Sequence, residues 1–457
     1  MPDRSKLPDP TPVPHWAPPQ PATFRLSNGI RVWYAKFGLT PLTTVVLILP
    51  RGGSVDPSEK AGLTTVMADL LDGGAAGRTT LDIASRWREL GTDYATNVDV
   101  DSTELSLHLM ADTFAPSLEL LADLVQRPEL SAGEFQRCKE QRMAQALSRE
   151  SDPASTRWPV QRRLLFGDGY AGDSPRGMRH TLEKITLADV RRQYRRVMAA
   201  NGAEFVVVGG IDEPVVRETL ERTFGQWKGN GEGEPRAVTP ASEPAGVYLV
   251  DFPGAAQSNL AVTRRAPGAD AQDFFPALVF NRIFGGAFVS RLNMNLREDK
   301  GFTYGASSRF RRYRMAGCFE LQASVKTADT RASVDEMLKE LRSLQQDRPL
   351  TETELSEAVS GLLLGFPGNF QRVSDLAGSF AALPVLGREP DWYTQWPGRV
   401  SQVAVADAQG VARSQADPKD FLIVLTGDRA VVEPTLSSLG LPMVLYDAQA
   451  RPVKSER

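Results

Sequence analysis

The side chains that usually carry chemistry are scarce in this chain. Histidine occurs three times, as His15, His108 and His180. A zinc ion with several imidazole ligands would have to gather almost all of them. His15 lies in a proline-rich arm and reads as solvated. His108 falls between Leu107 and Leu109, on the more polar face of an alternating segment, and reads as structural or solvent-facing. His180 reads as a loop residue without a ligand-type neighbour. Cys138 and Cys318 are far apart and have no CxxC companion, so a disulfide framework and a thiolate zinc site are excluded by count. They read as two buried, inert thiols. There is no GxSxG elbow, no P-loop and no HExxH. The carboxylates show no paired spacing that would suit a glycosidase. The glycine run at 229–233 follows a helical pattern and opens none, so the dinucleotide reading fails on context.

Two segments remain. The first is AGLTTVMADLLDGGAAGRT, residues 61–79. The second is FGGAFVSRLNMNLREDKGFTYGASS, residues 284–308. In the second, a glycine pair precedes a helix expected to end near Lys300, with Gly301 as its cap and a strand carrying Tyr304 after it. Arg297 sits in the last helical turns. A guanidinium offers a fixed fork of donors and a phenol one directional donor, so the two could converge on a peptide carbonyl. Read alone, Arg297 in the charged LREDKG run equally fits a solvated helix end.

The elements that must position these residues follow from pattern. The chain has 457 residues, 41% hydrophobic and 24% charged, enough for two to four domains. Lys and Arg number 53 against 56 Asp and Glu, a net charge of -3. That balance gives no basic footprint for nucleic acid, and no apolar run reaches the roughly 18 residues of a membrane helix. Residues 1–22 form a Pro-rich arm without an apolar h-region, so no signal peptide is read there. The expected compartment is periplasmic if that arm starts a mature exported protein, and cytoplasmic otherwise. Asn28-Gly29 between alternating segments predicts a hairpin. Residues 43–50 predict a strand buried on both faces. Helices are predicted over about 61–72, with Gly73 as the stop, and over about 80–91, 113–127, 131–150 and 190–198. Residues 228–244 are Gly/Pro/Glu-rich and read as a linker.

The two halves repeat. EFVVVGGIDEPVVRETL (204–220) lies over DFLIVLTGDRAVVEPTL (420–436) without a gap. Upstream, YATNVDVDSTELSLHLMADTFAPSLELLADLV resembles YGASSRFRRYRMAGCFELQASVKTADTRASVDEMLKEL. Each predicts a strand, a turn at Asp112 or Thr327–Asp329, and an amphipathic helix. A period of about 215 residues fits a duplicated domain rather than a solenoid.

From about Phe24 to Tyr446 the chain resembles the M16 metallopeptidases, the pitrilysin and mitochondrial-processing-peptidase-like family. The resemblance implies an α+β fold of two homologous M16-type (LuxS/MPP-like) domains, residues 23–227 and 245–450. Each would be a mixed, largely antiparallel sheet with helices packed on one face. In active members the segment matching 61–79 carries HxxEH, two zinc ligands and a base. Here those positions are Thr65, Ala68 and Asp69. The third, glutamate, ligand falls near Gln145-Ala146, with Glu140 and Glu150 the nearest acids. The resemblance therefore implies no zinc in this chain. SRLNMNLREDKGFTYGASS matches the family's S-x-L-x-x-x-L-R-E-x-x-G-L-x-Y pattern, which implies that Arg297 and Tyr304 hold the scissile carbonyl and its oxyanion. Gly285 and Gly286 resemble a short version of a substrate-binding glycine-rich loop, or simply a tight turn.

The expectation is a noncatalytic, substrate-binding subunit of a heterodimeric M16 zinc endopeptidase, not proteolytic alone. A zinc-bearing HxxEH chain would be its partner and peptides its substrate. The alternatives are an inactive structural or assembly protein of this fold, as in core proteins, and a peptide-binding homodimer.

Overall fold

The computed structural model describes residues 16–238 and 244–453. The first fifteen residues of the arm, with His15, and positions 239–243 of the linker lie outside the described residues. Among the described residues, twelve strands form two six-stranded sheets. The first contains β1 (Ala22–Arg25), β2 (Arg31–Lys36), β3 (Leu42–Leu49), β4 (Asp93–Val98), β5 (Thr103–Met110) and β6 (Glu204–Gly209), in the order β1-β2-β6-β3-β5-β4. The second contains β7 (Val247–Asp251), β8 (Gln257–Ala266), β9 (Ala306–Arg312), β10 (Gly317–Lys326), β11 (Leu422–Gly427) and β12 (Met443–Tyr446), in the order β12-β7-β11-β8-β10-β9.

Both sheets are mixed α+β assemblies of the expected kind. In each, a parallel pair joins an antiparallel run: β2 with β6, and β7 with β11. The repeat predicted from 204–220 and 420–436 is the pair β6 and β11, each followed by a helix, Glu213–Phe224 or Arg429–Leu436. The sixth strand breaks the symmetry. In the first sheet β1 pairs antiparallel with β2, while in the second β12 arrives from the far end of the chain and pairs parallel with β7.

Strand periodicity explains the layering. Along β3, Val45, Leu47 and Leu49 enter the core formed with the first half's own helices, while Val46 and Ile48 point into the other core. The opposite faces are covered by an exchange. Helix Pro153–Phe166 of the first half packs on β8 and β11, and helix Val373–Val385 of the second half packs on β3 and β6. Thr156 Oγ1 meets Thr426 Oγ1 at 2.9 Å, and Gln161 Nε2 donates to Thr263 Oγ1 at 3.0 Å and to buried Glu320 at 2.8 Å. The two halves are thus interlocked by buried polar contacts as well as apolar area.

The Gly/Pro/Glu-rich stretch lies against the first half as far as residue 238. Glu232 N donates to Arg196 O at 3.1 Å, and Arg236 forms an ion pair with Asp173 at 2.8 Å. His180 departs from its loop expectation: it lies in the short helix Arg179–Leu182, with Nδ1 3.0 Å from Gln449 Oε1. His108 is exposed, as expected, with Nδ1 3.0 Å from Thr44 Oγ1. Burial pushes the Cys138 thiol up to about 11 and the Cys318 thiol up to about 12, so both are held as unreactive thiols. Among the described residues no helix is long and apolar enough to cross a membrane.

Candidate functional site

The helix Leu63–Asp69 carries the degenerate motif. Its start is fixed by Asp56, which accepts from Gly62 N at 3.0 Å, Thr64 N at 3.0 Å and Gln193 Nε2 at 3.1 Å. Burial pushes the Asp56 carboxyl up to about 7, against the pull of the Thr64 and Gly62 donors. The helix therefore presents Thr65, Ala68 and Asp69 on one side by its own 3–4 spacing.

None of the three is placed as a metal ligand. Thr65 Oγ1 donates to Pro175 O at 2.6 Å. Ala68 is buried and has no donor atom to offer. Both carboxylate oxygens of Asp69 accept from the Arg142 guanidinium, from Nε and Nη2, and both side chains are 21% exposed. Arg142 projects from helix Ala132–Glu150, the same helix that carries Gln145 and Ala146, and its Nη1 donates to Gln145 Oε1 at 3.1 Å. Glu150 is committed to Arg179 at 2.9 Å, and Glu140 accepts from Gln136 at 2.7 Å. This donor set does not fit zinc. A fixed guanidinium holds the only carboxylate among the three motif positions, and a cation beside a cation site repels the metal. Among the described residues no group of three or more His, Cys, Asp or Glu could hold a metal ion.

A cavity of about 240 Å³ opens over this pair, lined among others by Thr65, Asp69, Asn97, Arg142, Arg149 and Arg176. Its charge is mainly positive. Arg149 and Arg176 are the residues that sequence reading missed here; nothing in their spacing marks them, because they come from a helix and a loop brought together only by the fold. Burial, and then Arg176 and Arg142 beside it, hold the Arg149 guanidinium below its ordinary range.

The second segment behaves differently. Arg291–Asn293 is a short helix that widens into a π-helical turn over Met294–Asp299. Gly301 closes it in the left-handed region at φ +66°, as the capping expectation required. The expected strand begins later than read, at Ala306, so Tyr304 lies in the bend before β9 rather than on the strand. The cause is local: Thr303 Oγ1 accepts from Gly305 N and donates to Ser324 O, holding 303–305 in a turn. Tyr304 is 93% exposed. Arg297 lies over the Phe288 ring at 4.5 Å and pairs with Glu298 at 3.2 Å. Phe288, Val289 and Met294 are exposed in the same segment. Arg297 and Tyr304 are thus neither bonded to one another nor lining the cavity over Asp69; they lie on an exposed, partly apolar surface.

Gly285 and Gly286 pack tightly against their surroundings. A Cβ on Gly285 would lie 2.5 Å from Ser308 N and one on Gly286 2.6 Å from Asn281 Nδ2. Gly285 O accepts from Ser308 N at 2.9 Å. Gly285 lets helix Phe274–Phe284 approach β9, and Gly286 lets the chain turn closely against the last turn of that helix.

Comparison with known proteins places this geometry in context. The family model described as "Peptidase M16 inactive domain" matches residues 184–362. The chain is 23% identical over 355 residues to a protein of Helicobacter pylori named "Non-peptidase homolog YmxG", covering 76% of this chain and 79% of that one. It is 21% identical over 304 residues to an "Uncharacterized zinc protease" of Rickettsia felis, covering 66% and 72%. The crystal structure of a peptidase M16 inactive domain from Pseudomonas fluorescens superposes with a TM-score of 0.81 at 20% identity, over 89% of this chain and 98% of that one.

Proposed function

For this chain, a noncatalytic protein of the peptidase M16 type, we propose the role of substrate-binding subunit in a heterodimeric zinc endopeptidase. One observation carries the reading: the groups suited to grip a peptide carbonyl are presented outward, with nothing in this chain to work on. Tyr304 is 93% exposed and Arg297 is held beside exposed Phe288, while the one carboxylate at the zinc-motif positions, Asp69, is engaged by Arg142. Such donors gain a purpose when a second chain brings a metal and a bound peptide against them. In that arrangement Arg297 supplies a fork of N–H donors and Tyr304 one O–H donor to the peptide carbonyl, and both strengthen as negative charge grows on its oxygen. The Phe288 ring restricts where the Arg297 guanidinium can go, which reduces the entropy lost on binding. The name of the Helicobacter pylori relative, a non-peptidase homolog, supports a chain that does not cleave alone. The rival, a scaffold of the same fold, gives Tyr304 and Arg297 no task.

The test is co-expression with a zinc-bearing M16 chain. The expected result is a stable pair on size-exclusion, burying roughly 2,000 Å² or more, that cleaves peptides in a chelator-sensitive manner. This chain alone should be inactive. Separate species and no gain in cleavage on mixing would overturn the proposal.

A further inference from the structure

Beside the degenerate motif, where the two halves meet, lies a larger cavity of about 420 Å³. Its walls carry four arginines, Arg149, Arg162, Arg176 and Arg311, around Trp158 and Tyr313. Two acids also line it, exposed Asp99 and Glu150, which is paired with Arg179 at 2.9 Å, so four guanidiniums face two carboxylates.

Arg162 is the informative residue. It is only 4% exposed. It donates to two neutral oxygens, Tyr313 Oη at 3.2 Å and Asp173 O at 2.8 Å, and makes no ion pair among the described residues. Its Nε, like that of Arg311, is buried without an acceptor. Both guanidiniums lie near the Trp158 ring, at 5.8 and 4.4 Å. Arg311 has only a share of Glu320, which is fully buried and also serves Arg309 and, at 3.9 Å, Arg157. A buried guanidinium without a counter-charge is costly. Arg162 in that state, beside a one-third-exposed Arg311 whose carboxylate is already shared three ways, leaves a place for an anion.

The carrier of that anion is indicated by what adjoins the cavity. Asn97, Val98, Arg149 and Arg176 also line the 240 Å³ cavity over Asp69, so the two adjoin. Asn97 and Val98 end β4, the outermost strand of its sheet. Its free edge can pair with an extended chain, and a few residues at about 3.3 Å each span from the Asp69 cavity to the arginines.

We propose that the cavity around Arg162 and Arg311 is a binding site for a carboxylate of an extended peptide, an acidic side chain or a C-terminus. It rests on the peptide-binding reading for the carrier of the anion, but not on the heterodimer, since every group belongs to this chain. The selected substrates are then acidic peptides.

The test uses the full chain alone and fluorescence anisotropy. The probes are a labelled decapeptide with two glutamates and a C-terminal carboxylate, its Gln-substituted, C-terminally amidated counterpart, and inorganic phosphate as competitor. The acidic peptide should bind at least about tenfold tighter than the neutral one, the scale of one charge-assisted bond, and the difference should shrink with salt. Arg311→Gln and Arg176→Gln should each erase much of that difference, read within each variant as the ratio of acidic-peptide to neutral-peptide affinity. Arg176 is exposed and makes no hydrogen bond or ion pair among the described residues, so its variant keeps the test valid should the Arg311→Gln protein fail to fold. Equal binding of the two peptides, binding of neither, wild-type affinity in both variants, or phosphate binding without peptide binding would each overturn the assignment. Charge-selective binding with no heterodimer would sink the subunit role and leave this site standing. A cleaving pair without charge preference would do the reverse.

Discussion

Consider removing Asp69. Its carboxylate is held by two nitrogens of Arg142, and both side chains are 21% exposed. A fully exposed ion pair contributes about 0–1 kcal/mol, and breaking a fully buried one by deleting a partner costs about 3–5 kcal/mol. With four-fifths of each side chain covered and two charge-assisted bonds, Asp69→Ala should cost about 2 kcal/mol. Most of that is the stranding of the Arg142 guanidinium beside Arg149 and Arg176. Arg142→Met should cost a similar amount, because Asp69 then faces an apolar wall. The double variant removes both charges and should cost about 2 kcal/mol rather than about 4, a coupling of roughly 2 kcal/mol. Urea unfolding of the four proteins, followed by circular dichroism, measures the cycle. Strict additivity, or single-variant losses below about 0.5 kcal/mol, would show that the pair does not hold the helix, and the claim that it has replaced the metal site would lose its physical basis.

Further expectations concern the same scaffold. Thr65→His, Ala68→Glu and Asp69→His together should yield no stoichiometric zinc by metal analysis, because no carboxylate replaces Gln145 or Ala146 and Arg142 is left unpaired in the site; one tightly held zinc per chain would refute this. Lys60 and Thr186 hold the Asp189 carboxyl down to about 2 despite the burial that would raise it. Its stabilisation is therefore present above the unfolded value of about 3.9 and lost as pH falls from about 4 to about 2. The stability gap between wild type and Asp189→Asn, about 2 kcal/mol at neutral pH, should close over that window. Gly285→Ala would press a Cβ to within 2.5 Å of Ser308 N, and should cost about 1–3 kcal/mol in denaturant melts.

Much of the fold was legible because burial follows simple periods. The hairpin at Asn28-Gly29 comes from a turn pair between alternating segments, the doubly buried β3 from a near-continuous apolar run, and the repeat of β6 and β11 with their helices from direct internal similarity. Helix Pro153–Phe166 was not legible. It buries Arg157, Gln161 and Arg162 along with Val160 and Leu164, so no apolar stripe marks it, and its partner sheet belongs to the other half. The same exchange hid the arginine-lined cavity: Arg162 and Arg311 are about 150 residues apart in sequence and meet only across the two halves. The RFRRYR run at 309–314 was the available signal. At the motif, the loss of histidines was plain from sequence, but the guanidinium that occupies their place was not, since Arg142 and Asp69 are separated by 73 positions.

The central claim is that Arg297 and Tyr304 act on a peptide held by another chain, and Tyr304→Phe in the assembled pair measures it most directly. The substitution removes one hydroxyl from a ring that is 93% exposed, so folding, zinc content and pair formation should be unchanged. If the hydroxyl donates to the developing oxyanion, kcat should fall by about 10²–10³ with little change in KM. Cleavage at near wild-type kcat by an intact, zinc-loaded pair would contradict the account and leave this chain a scaffold.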